Sequence, residues 1–270
     1  LNIPVTKYLY SNELISPIGL VTMRMAFATF AFWVVSLFMP KEEVARKDLF
    51  ILLIGGVSGM LINQGLFAYG LQRTTPVDAS IITTSSPLFA LIIAAIILKE
   101  PITMKKAGGV LIGGAGAIFL VYTSHQHIAV QHDTGLIGDL SVLGAQLFYS
   151  FYIVITRPLS AKYSPVTMMK WMFLFSSVIA IPSFYNSVTE AEIFVRGEVN
   201  HYLTILFVLV GGTFITYLLI PLAQRRIRAT TISMYNNVQP LVASTVAIII
   251  GQDNFTWEKL FSAVLIFSGV

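Results

Sequence analysis

Two cations stand inside apolar stretches of this chain: Arg24, seven residues past Pro17, and Lys170, five past Pro165. Amides, hydroxyls and phenols punctuate other apolar stretches, at Asn63-Gln64, Thr83 and Ser86, Gln146 and Tyr149, Tyr217, and Asn236-Asn237 with Gln239. Trp171 adjoins Lys170. Groups of this kind donate and accept hydrogen bonds and pair with ions, so the chemistry they offer is recognition of a small molecule. Catalysis would need an embedded nucleophile, a carboxylate pair or a cluster of metal ligands, and none is legible. All thirteen Asp and Glu fall in loops or at the ends of apolar stretches, and cysteine is absent. His125, His127 and His132 share one loop, where solvation explains them better than a metal does. No metal and no cofactor is therefore expected. Proton transfer through a buried carboxylate finds no support either, since such relays place Asp, Glu or His within the membrane.

The elements that hold these groups follow from composition. The chain has 270 residues, 56% of them hydrophobic and 11% charged, against roughly 25% charged in an average soluble protein. Apolar windows bounded by Pro, Gly and charge cover 1–10, 17–39, 49–71, 75–98, 104–123, 136–157, 164–185, 202–224, 229–250 and 257–270. Most approach the roughly 20 residues that a helix needs to cross a bilayer core. The first and last windows are shorter and are expected to be the visible parts of two truncated helices. The first residue is not methionine, so the amino terminus of the natural protein is expected to be missing. An outer-membrane barrel would instead alternate over segments of about ten residues. The expected fold is an all-α integral membrane protein of ten transmembrane helices.

Charge sets its orientation. With the amino terminus inside, the inner loops carry Lys41, Arg46 and Lys47, then Lys99, Lys105 and Lys106, then Arg157 and Lys162, then Arg225, Arg226 and Arg228. The outer loops hold only Lys7, Arg73, Arg196 and Lys259. That bias favours cytoplasmic termini. It also explains the net charge of +4 without a nucleic-acid partner, because the basic residues are scattered over short loops.

The chain repeats itself. A shift of 153 residues pairs Gly59 with Gly212, Ser80 with Ser233, Pro87 with Pro240, Glu100 with Asp253 and Thr103 with Thr256, and a shift of 148 pairs Ser16-Pro17 with Ser164-Pro165. The unit is five helices, so the second copy must enter the membrane inverted. Basic loop 40–48 has as its counterpart the acidic loop 187–200, the opposite bias that inverted repeats require. Two five-helix repeats are expected, at 1–123 and 136–270, joined by an outer loop at 124–135. Gly55 with Gly59 and Gly109 with Gly113 form small-xxx-small pairs for close helix packing.

Pro87 and Pro240 fall near the middle of their windows, where a proline removes one donor and frees the carbonyl four residues back, here Thr83 and Asn236. Exposed backbone is tolerated at membrane depth only against protein or a water-filled cavity. The reading is a polar cavity at the midplane, lined by Asn63, Gln64, Thr83, Ser86, Gln146, Tyr149, Trp171, Tyr217, Asn236, Asn237 and Gln239, with Arg24 and Lys170 at its mouths. The competing reading of each hydroxyl is a hydrogen bond that ties two helices together. The triplet Asn254-Phe255-Thr256 matches a glycosylation acceptor, but lies beside the membrane.

The stretch AYGLQRTTPVDASIITTSSPLFALIIAAIILKEPITMKKAGGVLIGGAG, residues 68–116, resembles the EamA family of the drug/metabolite transporter superfamily, as does the second copy from Leu222 onward. The features are a proline after small or polar residues, a following apolar run, a Glu-Pro pair and a late Gly-rich helix. Gln252-Asp253-Asn254 departs from the Lys99-Glu100-Pro101 of the first copy. The resemblance implies a ten-helix carrier in the bacterial inner membrane, working by alternating access on a metabolite, an amino acid or a drug-like compound, often outward. A nucleotide-sugar or sugar-phosphate exchanger is the alternative within the same superfamily. A non-transporting membrane sensor and an intramembrane enzyme rank below both. The expected partners are a small-molecule substrate and the lipid bilayer, with a homodimer as one option for assembly.

Overall fold

The computed structural model describes residues 2–74, 79, 82–125, 136–238, 242 and 257–269. Every regular element among them is helical. In chain order they are α1 (Asn2–Ser11), α2 (Pro17–Ser36), α3 (Arg46–Arg73), α4 (Ser86–Ile97), α5 (Met104–His125), α6 (Leu136–Ser160), α7 (Pro165–Thr189), α8 (Val199–Gln224), α9 (Ala229–Met234) and α10 (Trp257–Gly269). A single helical turn, Ile193–Arg196, precedes α8. Helices α2, α3, α6, α7 and α8 are each long and apolar enough to cross a membrane. The protein is an integral membrane protein. Its surface agrees, for Phe30, Phe38, Ile96 and Leu111 point outward, where lipid rather than water suits them.

Local chemistry accounts for the helix starts. Ser16 and Ser164 each accept a bond from the backbone three residues on, Gly19 N at 3.1 Å and Thr167 N at 3.2 Å. Pro17 and Pro165 occupy the first helical position, where the missing N–H has no partner to lose.

Two helices are interrupted in the same way. Within α3 the residues Val57–Ile62, and within α8 the residues Val210–Ile215, form a wider π turn. Their separation equals that between Gln64 and Tyr217, 153 residues. A π turn inserts one residue into the helix and re-aims whatever follows it. In α8 the hydroxyls of Thr213 and Thr216 donate to carbonyls five residues back, Val208 O at 2.9 Å and Gly211 O at 2.8 Å.

Pro87 does not kink a continuous helix, contrary to what its place in the window predicts; it lies in the first turn of a new one. The chain turns at Thr84-Ser85, and α4 begins afresh at Ser86 with Pro87 in its first turn. There the absent N–H costs nothing, so a clean break replaces a kink. In the second copy a 3₁₀ turn, Tyr235–Asn237, follows α9. Pro240 itself, with Gln239, lies outside the described residues, as do Asp78, His127, His132 and the Asn254-Phe255-Thr256 triplet.

Helices that the 148 and 153 shifts make equivalent pack against each other. Between α2 and α7, Thr29 meets Ser177 at 2.7 Å, Phe32 stacks on Phe173 at 5.6 Å and Trp33 meets Trp171 edge-on at 5.5 Å. As the α2 number rises the α7 number falls, so the two run antiparallel. Helices α5 and α10 do likewise. A Cβ on Gly109 would come 2.7 Å from Gly269 O, and one on Gly116 would come 3.1 Å from Ser262 O. The glycine pairs permit this contact, as their spacing predicts. The core between the helices is aromatic and methionine-rich, with Tyr152, Phe32, Phe173, Met25 and Met60 fully buried.

Candidate functional site

Arg24 comes from the middle of α2 and reaches the π turn of α8. Its Nε donates to Thr213 Oγ1 at 2.7 Å and its Nη2 to Gly212 O at 3.2 Å. The carbonyls and hydroxyl that the π turn presents are thus what anchor the cation. Tyr10 from α1 and Tyr217 from α8 lie within electrostatic range of the guanidinium. Arg24 is surrounded by protein yet keeps part of its surface accessible.

Two residues beyond each π turn stand Gln64 and Tyr217. Gln64 Nε2 donates to Tyr217 Oη at 2.8 Å, and Tyr217 rests edge-on against Phe173 at 5.2 Å. These two residues are repeat equivalents that bond to one another, as are Thr29 and Ser177.

A second group adjoins the first. Ser86, at the start of α4, meets Ser150 of α6, whose hydroxyl donates to Ser86 O at 2.9 Å. Asn236 Nδ2 donates to Ser86 Oγ at 3.3 Å, and the Asn236 side chain is also hydrogen-bonded to Tyr149. Tyr149 and Tyr152 pack 6.1 Å apart, and both are within electrostatic range of Tyr217. Tyr149, like Arg24, is enclosed but keeps accessible surface. Among the described residues, Gln64 Oε1 and Tyr152 Oη are buried without a hydrogen-bond partner. Burial of an unpaired polar atom is costly.

Of the residues singled out from the sequence, Arg24, Gln64, Ser86, Tyr149, Tyr217 and Asn236 therefore come together. Others do not join them. Asn63 Nδ2 donates to Ala145 O at 2.7 Å, tying α3 to α6. Thr83 Oγ1 turns back onto Ala79 O at 2.7 Å. Asn237 is fully buried toward α5, where its amide lies 3.5 Å from the position a Cβ on Gly113 would take. One residue of helix separates it from Asn236, and about 100° of rotation sends it the other way. Lys170 sits over the ring of Trp33, 5.1 Å from its centroid, beside the Trp171–Phe175 stack. Gln146 is buried within α6. Sequence reasoning missed Thr213, Tyr10 and Trp33. The only signal for Thr213 was its place after Gly211-Gly212, the counterpart of Ser58-Gly59 in the first copy.

Comparison with known proteins follows the same lines. Residues 1–122 and 136–270 each match the EamA-like transporter family. An uncharacterized transporter of Archaeoglobus fulgidus is 25% identical over 79% of this chain and 72% of its own length. The uncharacterized transporter YyaM of Bacillus subtilis is 24% identical over 97% of this chain and 85% of its own. A WAT1-related protein of Arabidopsis thaliana, At3g53210, is 25% identical over 85% and 69% respectively. A solved crystal structure at 14% identity superposes with a TM-score of 0.74, over 99% of this chain and 92% of that one, which speaks to the fold.

Proposed function

The chain belongs to the EamA-like transporter family, and from that premise we propose that it carries a small organic molecule across the membrane by alternating access. The hollow bordered by Arg24, Gln64, Tyr149, Tyr217 and Asn236 is the carrying site. The proposed membrane is the bacterial inner membrane, with both termini in the cytoplasm and transport directed outward.

One observation carries this reading. Repeat-equivalent residues bond to each other at the edge of that hollow, Gln64 to Tyr217, while equivalent helices α2 and α7 run antiparallel. An inverted pair of five-helix units gives that arrangement, and the two stretches that match the family separately support the same division. Transporters built from inverted repeats hold their substrate at the repeat interface near the midplane. Arg24 and the π turn of α8 stand at mid-length of their helices, so depth and interface coincide.

The test is flux. Purified protein in liposomes is assayed for counterflow with radiolabelled amino acids and small carboxylic acids, alongside an Asn236→Leu variant. The expected result is substrate-dependent flux that the variant loses while it still inserts and melts cooperatively. Normal flux in Asn236→Leu would remove this hollow as the site. Right-side-out and inside-out vesicles then report direction.

A further inference from the structure

Resting on the carrier reading above, we infer that Arg24 binds the carboxylate of a monoanionic cargo whose body is apolar or aromatic. A guanidinium has five N–H donors. Two of those on Arg24 are used, by Thr213 Oγ1 and Gly212 O, and both acceptors are neutral. Nη1 has no acceptor among the described residues. The ion pairs among the described residues join Glu100 to Lys106 and Arg157, Asp48 to Lys162, and Glu192 to Arg196. Each lies at a helix end or in a loop, and Arg24 takes part in none. A cation enclosed by protein with no counter-ion is expensive to keep. Part of the residue stays accessible, so an anion arriving there meets a charge already desolvated and already oriented by two hydrogen bonds.

The surroundings select the class of anion. Planar fork geometry suits carboxylate and phosphate alike. Lys170, the other cation within a span, is held over Trp33, nine residues further along α2. Nine residues of helix is about 13 Å, too far to share a ligand oxygen. A single guanidinium with phenol hydroxyls from Tyr10 and Tyr217 balances one negative charge, which fits a carboxylate and leaves a phosphate monoester dianion half uncompensated. Aromatic rings also stand beside the cation: Tyr10 and Tyr217 lie within electrostatic range of the guanidinium, and Tyr217 meets Phe173 edge-on. An apolar body bearing one carboxylate matches both halves of that site.

The probes are acetate, 3-phenylpropionate and 4-phenylbutyrate, each with its neutral amide, and phenyl phosphate. Thermal unfolding of the purified protein is followed at rising concentrations of each. The expected result is stabilisation by the phenyl carboxylates, more than by acetate, with little from the amides or from phenyl phosphate. Arg24→Gln should need at least about tenfold more carboxylate for the same shift, and Arg24→Lys should fall between. The inference is overturned if acid and amide act alike on the natural protein, including if neither acts. It is overturned equally if a folded Arg24→Gln binds the acids unchanged. Should Arg24→Gln fail to fold, the acid–amide comparison on the natural protein decides alone. Flux separates this inference from the one beneath it. Carboxylates that bind through Arg24 but are not carried would refute transport and keep the anion site, whereas carried neutral compounds with inert carboxylates would do the reverse.

Discussion

Glu42 shows how one side chain can tie the two halves of this protein together. Its carboxylate accepts from Ser164 N at 2.9 Å and Ser164 Oγ at 2.9 Å, at the very start of α7. Burial pushes its pKa up, but the bonds from Thr167 and Ser164 and the charge of Arg225 outweigh that and hold it below the usual carboxylate range. A group whose folded pKa is depressed contributes stability above its unfolded pKa and loses it as the pH falls through the folded value. The melting-temperature gap between the natural protein and Glu42→Gln should therefore stay level between about pH 6 and 8 and close in acid, as the pH falls through the ordinary carboxylate range to the lower folded value. A gap that changes near neutrality would contradict this. Tyr217 offers a second test at this scale. Tyr217→Phe removes the acceptor of Gln64 Nε2 and leaves a buried amide with one more unpaired atom, a loss of about 1–3 kcal/mol. Unfolding in detergent measures it. Residue types at the hollow were legible in the sequence, because a cation or an amide within an apolar stretch has few explanations. Their partners were not: Arg24 meets Thr213 across 189 positions, and no local pattern encodes that distance.

Among elements, the helices were legible almost to their ends, since an apolar window and its bounding charges fix both length and limits. The window 17–39 became α2, Pro17–Ser36, and 136–157 became α6, Leu136–Ser160. Prolines were a poorer guide. Pro158, Pro182 and Pro221 all lie inside helices, whereas Pro87 begins one. What differs is the preceding residues, where Thr84-Ser85 make the turn that lets α4 start again. The π turns left no mark, because Val57–Ile62 and Val210–Ile215 are ordinary small and apolar residues whose wider winding is set by what packs on them. That packing is testable. A Cβ on Gly56 would fall 2.5 Å from Met172 O, a backbone atom of α7, whereas one on Gly114 would meet nothing within 4 Å. Gly56→Ala should lower stability by about 1–3 kcal/mol through overpacking, and Gly114→Ala should leave it unchanged or slightly raised. Lys99 gives an opposite case. It holds φ of 53° just past the end of α4, where Glu100 N reaches back to Ala94 O at 3.3 Å. Lys99→Gly should stabilise the protein by up to about 1 kcal/mol, since glycine takes this conformation without strain. Equal or lower melting temperature would show that the lysine side chain earns its place some other way.

For the whole molecule, contacts between the two family-matching stretches gather at the end carrying the basic loops. Asp48 accepts from Lys162 at 3.2 Å and from Tyr163 at 2.8 Å, Glu100 accepts from Arg157 at 2.7 Å, and Glu42 reaches Ser164. At the other end Thr74 donates to Asp139 at 2.5 Å and Ile193 N donates to Leu14 O at 2.9 Å. Under alternating access one such set must part while the other holds. Because the chain has no cysteine, an Asp48→Cys/Lys162→Cys pair bridged through two disulfides by a short bis-methanethiosulfonate reports on this directly. Flux should stop on bridging and return on reduction. Unaltered flux in the bridged protein would mean that this end never opens. The bond between Gln64 and Tyr217 has a last consequence. Two identical copies meeting on a two-fold axis would put the same residue on both sides, and inward and outward forms related by that rotation would then be equal in energy. Here a glutamine faces a phenol, and the position equivalent to Arg24 under the 148 shift is Met172. In a carrier that alternates as proposed, each such mismatch would make the two facings unequal in energy, and divergence at the axis is where a preferred direction could arise.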